Sequence, residues 1–257
     1  MDGITPLWGI CSFDKIKESL IDCRAKSRLP QSAKSVIVAC FPYLLDKSDY
    51  QNQNVSKYAV VTDYHNVAIN RLEAATAKLK ELYPESEFAA FADNSPIPEV
   101  KAACLAGLGV RGTNSLLITP KYGSYVFIGE IVTNLELDAA DADEKACIKC
   151  GKCIKSCPSG AISKNSFKKE ICLSAITQKK GALSEAEEHL MLECGCVWGC
   201  DICQDICPMN KYAAKTEIEE FLSSPIAHVL SGCSLDGRAY EWRGRKVIER
   251  NISVFNR

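Results

Sequence analysis

The chain has no apolar run long enough to cross a bilayer, almost no net charge, and no low-complexity segment. Its longest apolar stretch, residues 35–45, is broken by Pro42 and falls short of the roughly 20 residues a spanning helix needs, so no membrane span is expected. The opening MDGITPLWGICSF begins with an acid and lacks both a basic region and a sustained apolar run. It does not read as an export signal, and a cytoplasmic location is expected. With 31 basic against 32 acidic residues the net charge is -1. That excludes the strongly basic field of a nucleic-acid-coating domain but leaves room for a local basic face. What is present is 257 residues, 47% hydrophobic and 25% charged, enough for one or two domains with a buried core.

Against this plain background stand 15 cysteines, an odd number that disulfides cannot pair completely. In a reducing compartment such a count points to metal or redox chemistry. Ten of them lie between Cys147 and Cys207, while Cys11, Cys23, Cys40, Cys104 and Cys233 are scattered and read as packing residues. The chain divides accordingly into a front region (1–140), a cysteine-dense region (141–215) and a C-terminal helical tail (216–257).

In the front region Ser12 is placed to cap a helix over residues 13–25, and SVIVACF from Ser35 reads as a buried strand. Asp63 precedes a long helix with Ala68, Leu72, Ala75, Leu79 and Leu82 on one stripe, stopped by Tyr83-Pro84. FAAFA (88–92) reads as a strand ending at Asp93, and Asn94, Ser95 and Pro96 as start signals for a helix that Gly107 closes. SLLIT from Ser115 and YVFIGEIVT from Tyr125 flank PKYGS, which has the Pro and Gly of a tight hairpin. Interleaved strands and helices with an antiparallel pair predict a layered α+β or α/β front domain.

Cys147-x2-Cys150-x2-Cys153-x3-Cys157-Pro158 is the spacing of a bacterial ferredoxin [4Fe-4S] loop, in which three thiolates bind one cubane and the fourth, before proline, faces another. A truncated copy follows, Cys200-x2-Cys203-x3-Cys207-Pro208, with Val197 where a third loop cysteine would stand. The crossed rule assigns Cys147, Cys150, Cys153 and Cys207 to one cluster, and Cys157, Cys200 and Cys203 to the other. Cys172 is chosen to complete the second set, with Cys194 and Cys196 as rivals. Structural zinc is the competing reading of paired C-x2-C. The region from Lys145 to Lys180 carries nine lysines and one acid, Glu170, an excess of +8. This is either compensation for cluster charge, a solvated face, or a docking surface for an acidic electron donor such as flavodoxin or ferredoxin, or for RNA phosphates.

AKSVIVACFPY, the DYH of 63–65, FADNSPIPE around Asp93, AGLGVRGTNSLLITPKYGSYVFIGEIVTNLEL, ICLSAIT from Ile171, VWGCDICQDICPMN from Val197 and the terminal EWRGRKVIERN together resemble the epoxyqueuosine reductase family over roughly residues 30–257. That resemblance implies a cobalamin-dependent iron-sulfur enzyme, related to reductive dehalogenases, that completes queuosine in tRNA. It implies a nitroreductase-like α+β corrinoid-binding domain joined to a bacterial ferredoxin-like double [4Fe-4S] domain whose two clusters pass electrons to cobalt. Carried over by motif, the proton donor falls on Asp93. Corrinoid-facing positions fall on Gly112, Asn114, Ser115, Gly123, Ser124 and Ser174. A capping role for Asp93 and turn roles for the glycines are the plainer alternatives.

The DYH also resembles a cobalt-ligating D-x-H motif, but Ala68 stands where that motif needs glycine, and a capping Asp with an aromatic pair explains it better. His189 and His228 fall on polar or mixed stretches. Three family cations are replaced here, by Val60, Val100 and Thr113, and longer members continue into a helical-repeat domain beyond the position of Arg257. Two readings follow. One is a corrinoid-dependent reductase of an epoxide-like or halide-like substrate. The other is a ferredoxin-type electron-transfer protein that has lost corrinoid chemistry.

Overall fold

In the computed structural model, which describes residues 1–140 and 142–256, four antiparallel strands form a sheet in the order β1 (Leu7–Ser12), β2 (Ser35–Pro42), β6 (Val126–Thr133), β3 (Phe88–Ala92). Every residue of β2 is buried, because both faces of the sheet are covered. Ile37, Ala39 and Phe41 face one apolar cluster, and Val36, Val38 and Cys40 face the other. An uninterrupted apolar run is what a strand buried on both sides requires.

After the short helix α1 (Lys57–Val60), α2 (Tyr64–Leu82) covers the first face with Val67, Ala68, Leu72 and Ala75. It starts where the Asp63 carboxylate accepts the His65 N–H at 3.1 Å, and it stops at Tyr83, as the cap and the Tyr-Pro stop predict. Gly129 of β6 lets α2 approach: a Cβ there would stand 2.7 Å from Leu72 Cδ1 and 3.0 Å from the Phe91 carbonyl. The opposite face is covered by α3 (Glu99–Leu105) through Ala102, Ala103 and Cys104.

Three local expectations are corrected. Residues 13–25 are not a helix. Two 3-10 turns (Phe13–Lys15, Lys17–Ser19) and the start of a third (Arg24–Arg28) follow Ser12, which ends β1 and makes no cap bond. Only Ile16 is deeply buried in this stretch, and its backbone is engaged elsewhere, Phe13 N–H to Lys34 O and Ile21 N–H to Pro96 O. Next, α3 begins at Glu99 rather than at the Asn-Ser-Pro signals. Asp93 and Asn94 sit at φ +56° and +42°, and Ser95 Oγ accepts from Ile97 N–H, so those residues build a turn.

The PKYGS hairpin also fails. Its turn does close on itself through Thr119 and Gly123, but Leu117–Ile118 (β5) pairs with Val110–Arg111 (β4). β6 instead runs between β2 and β3, so both of its edges are already occupied.

The cysteine-dense segment carries short helices, Lys152–Ser156, Leu173–Thr177, Glu185–Cys194 and Ile202–Asp205. It is laced to the front region: Val197 N–H donates to Asn54 O, and Ser56 N–H to Trp198 O. Residues beyond 216 join the sheet's own core through Phe221, Tyr240, Ile248 and Ile252. Their last helix, Arg245–Val254, is pinned by fully buried Asn251, whose amide donates to Thr177 O and Val197 O.

Candidate active site and metal centres

The ten clustered cysteines separate in space. Cys147, Cys150, Cys153 and Cys207 line one small cavity. Cys157, Cys172, Cys200 and Cys203 line a large one of about 710 Å³. Cys194 and Cys196 line neither, and the Cys196 thiol donates to the carbonyls of Trp198 and Gly199. Among the described residues no three His, Cys, Asp or Glu side chains converge on a single metal ion, so the thiols surround spaces rather than points.

Two of the sulfurs are also provided with donors that lower them, whereas burial raises Cys153, Cys200 and Cys203. Burial raises the Cys147 thiol, but hydrogen bonds from Thr113 Oγ1 and backbone N–H groups outweigh it and leave it below its ordinary value. The same balance, with Ser159 and the N–H groups near Ile162, lowers Cys157. Thiolates with such donors fit iron-sulfur ligation. Asn114 lines both cavities and its side chain bonds to Cys203. Gly112 makes this placement feasible, because a Cβ there would lie 2.2 Å from Asn114 Oδ1.

The large cavity also receives the end of β3 and the start of α2. His65 bridges two carboxylates, with Nδ1 2.6 Å from Asp63 Oδ1 and Nε2 2.9 Å from Asp93 Oδ2. Burial alone would lower the imidazole, but the two hydrogen bonds and the charges behind them lift it to about 9. The same bond to His65 holds Asp93 below the usual carboxylate range. Near neutral pH the pair therefore shares one proton, with His65 donating through both ring nitrogens. Neither nitrogen is left for a metal.

Asp93 holds its left-handed φ without being glycine, a strained conformation that favours functional positions. The neighbouring wall is aromatic: Tyr64 stacks on His65 and, at 4.0 Å and 5°, on Phe127. Lys169 and Arg243 also line the cavity, and Arg243 Nε is buried with no hydrogen-bond partner among the described residues.

Of the positions carried over by motif, Asp93, Asn114, Ser124 and Ser174 line the large cavity, whereas Gly112, Ser115 and Gly123 do not. Ser124 is buried in a closed network, its hydroxyl donating to Gln204 Oε1 and accepting from Asn210 Nδ2. Gly123, at φ +56°, presses against Asn210. Val60 is buried and its carbonyl accepts from Arg238, Val100 lines a second cavity, and Thr113 meets Cys147. The sequence offered little signal for Lys169, Arg243 or the tyrosines of the wall, since each comes from a different element.

Residues 146–210 match the family model described as a 4Fe-4S double cluster binding domain, and residues 24–94 the model described as Epoxyqueuosine reductase QueG, DUF1730. The epoxyqueuosine reductase of Synechocystis sp. is 35% identical over 198 residues, covering 74% of this chain and 68% of that protein. The chain belongs to the epoxyqueuosine reductase family.

The reductase of Listeria monocytogenes is 33% identical over 205 residues, 75% of this chain but 54% of its own length, so the chain spans about half to two thirds of such curated relatives. A crystal structure of epoxyqueuosine reductase with an epoxyqueuosine-modified tRNA-Tyr stem loop superposes with a TM-score of 0.79 at 24% identity, over 98% of this chain and 77% of that one. A catabolic reductive dehalogenase gives 0.52 at 16% identity, over 96% and 35%. These likenesses establish the mixed α/β fold. Among the described residues no helix is long and apolar enough to cross a membrane.

Proposed function

We propose that this chain forms the catalytic core of a corrinoid-dependent iron-sulfur reductase that removes an epoxide oxygen from a modified nucleoside of tRNA in the cytoplasm. The observation that carries the reading is the placement of the two thiol quartets. Cys150 is exposed, while Cys157, Cys172, Cys200 and Cys203 share a cavity wall with Asp93. One quartet thus faces an outside donor, and the other faces the place of chemistry. A space of about 710 Å³ walled by flat rings, hydroxyls, an amide and a guanidinium fits a large planar cofactor with polar edges.

When bound, the clusters supply single electrons and the corrinoid supplies a strongly reducing cobalt centre. Asn114, Ser124 and Ser174 would meet its polar periphery, directly or by holding the wall, and Tyr64 and Phe127 its flat face. Converting an epoxide to an alkene breaks two C–O bonds, forms a C=C bond and consumes two electrons and two protons, the oxygen leaving as water. Asp93 supplies one proton at its Oδ2, drawn from His65 Nε2. Lys169 and Arg243 stand near enough to the cavity to hold a polar or phosphate-bearing substrate. The lysine-rich 145–180 segment serves an acidic electron donor.

An epoxyqueuosine-modified stem loop incubated with reconstituted, reduced protein tests the reading. Turnover is expected, and Asp93→Asn should lower it by about two orders of magnitude or more while keeping clusters and corrinoid. Full activity in that variant refutes the role of Asp93. The competing electron-transfer reading draws on the cations replaced by Val60, Val100 and Thr113. It requires that no corrinoid bind.

A further inference from the structure

Glu130 lies in the middle of β6, opposite Val38 and Phe91, and points into the cluster beneath α3 with none of its surface exposed. Among the described residues neither carboxylate oxygen finds a hydrogen bond of normal geometry, although Ser95 is close enough to favour the ionised form. An ionised carboxylate buried in this way costs several kcal/mol, and burial together with the negative charges of Glu99 and Asp93 pushes Glu130 far above the usual range.

Among the described residues, the charges that bear on it are those of Glu99 and Asp93, both negative. Cys11 comes from β1 and Cys40 from β2, both raised by burial and by Glu130 itself. Cys104 of α3 bears on Cys40, and Lys15 bears on Cys11. Glu130 is therefore a carboxylic acid carrying a proton in the middle of a sheet, where a packing role would be filled better by Leu or Met.

A second raised carboxyl lies closer to the site. Glu99, at the start of α3, is half-buried and is raised to about 7 by burial and by Asp93, against the opposing charge of His65. Glu99 and Asp93 both line a second cavity of about 380 Å³, and Asp93 lines the large cavity as well. Asp93 is thus the partition between the two spaces.

We propose that Glu99 is a proton store behind Asp93 that refills the Asp93–His65 pair through the second cavity, with Glu130 staying protonated in the sheet behind it. The proposal rests on the reading of Asp93 as proton donor. After Asp93 releases its proton to the substrate oxygen, its carboxylate takes one from the Glu99 O–H. The Glu99 carboxylate recovers one from solvent in the cavity, which both residues line. No electrons move in these steps.

Infrared titration of the whole chain gives a readout independent of turnover. Wild-type protein should show protonated-carboxyl C=O stretches at neutral pH. Glu130→Gln should remove a component that stays protonated through neutral pH, and Glu99→Gln a component that titrates near 7. In the loaded enzyme Glu99→Gln should slow turnover about tenfold on the alkaline side, with corrinoid and substrate binding unchanged and partial rescue by Glu99→Asp.

Absence of the Glu99 component from wild type overturns the store. A wild-type pH–rate profile in Glu99→Gln, alongside an inactive Asp93→Asn, overturns the relay and leaves the role of Asp93 standing. An active Asp93→Asn overturns instead the reading on which the store depends.

Discussion

Replacing Asp93 by Asn removes one of the two carboxylates that hold His65 charged, and the size of the effect follows from the site. The imidazole stands at about 9 against an ordinary 6.5, which at 1.36 kcal/mol per pH unit corresponds to a ceiling of about 3 kcal/mol. His65 keeps 31% of its side-chain surface and Asp93 58%, so solvent screening reduces the contribution to folding to about 1–2 kcal/mol.

Its sign is fixed by the direction of the shift. The histidine is raised on folding, so this stability is complete below about 6.5 and is lost as pH climbs through about 9. Asp93 is lowered, so its share is lost as pH falls below the ordinary carboxylate range. With only three histidines in the chain, NMR of the imidazole carbons resolves His65 directly. Wild type should titrate near 9, Asp93→Asn clearly lower, and Asp63→Asn lower again when combined with it. A wild-type His65 titrating at 6.5, or one unmoved by Asp93→Asn, refutes the shared proton.

The thiol quartets predict iron content. Wild-type protein should hold about eight irons per chain, and Cys150→Ser or Cys172→Ser about four, whereas Cys196→Ser should hold the full set; stoichiometric zinc in wild type refutes the assignment. Gly129→Ala should cost about 1–3 kcal/mol by overpacking α2 against the sheet, read as a lower urea midpoint at unchanged m-value. Raising salt from about 0.05 to about 0.5 M should slow reduction by an acidic flavoprotein about tenfold or more. A flat response removes the 145–180 lysines as its docking surface.

Much of the grouping of the thiols was legible because cysteines of one loop are local: Cys147 to Cys157 announce themselves by spacing. The crossing of Cys207 to the first quartet followed from the second copy of the motif. The Asp63 cap, the β2 run and the α2 stripe were legible for the same reason, each being a short-range pattern read against one face. Illegible features depend on distant partners. Pairing of β6 with β2 and β3 decided the fate of the PKYGS turn, and nothing within 115–133 encodes which strands lie outside it.

His65 looked like a helix-start residue because its Asp63 contact is two residues away, while its Asp93 contact is 28 residues away. Thr113 read as a lost cation and turned out to place its hydroxyl 3.5 Å from the Cys147 sulfur. Glu130 drew no notice in an apolar strand, since only the fold shows that both sides of that strand are closed.

The central claim is that the cavity shared by the second thiol quartet and Asp93 holds a corrinoid, and anaerobic titration of the cluster-loaded protein with cobalamin tests it most directly. The account predicts saturable uptake of one corrinoid per chain, with a spectral change that Asp93→Asn leaves intact. Intact cluster absorbance with no corrinoid uptake would contradict it.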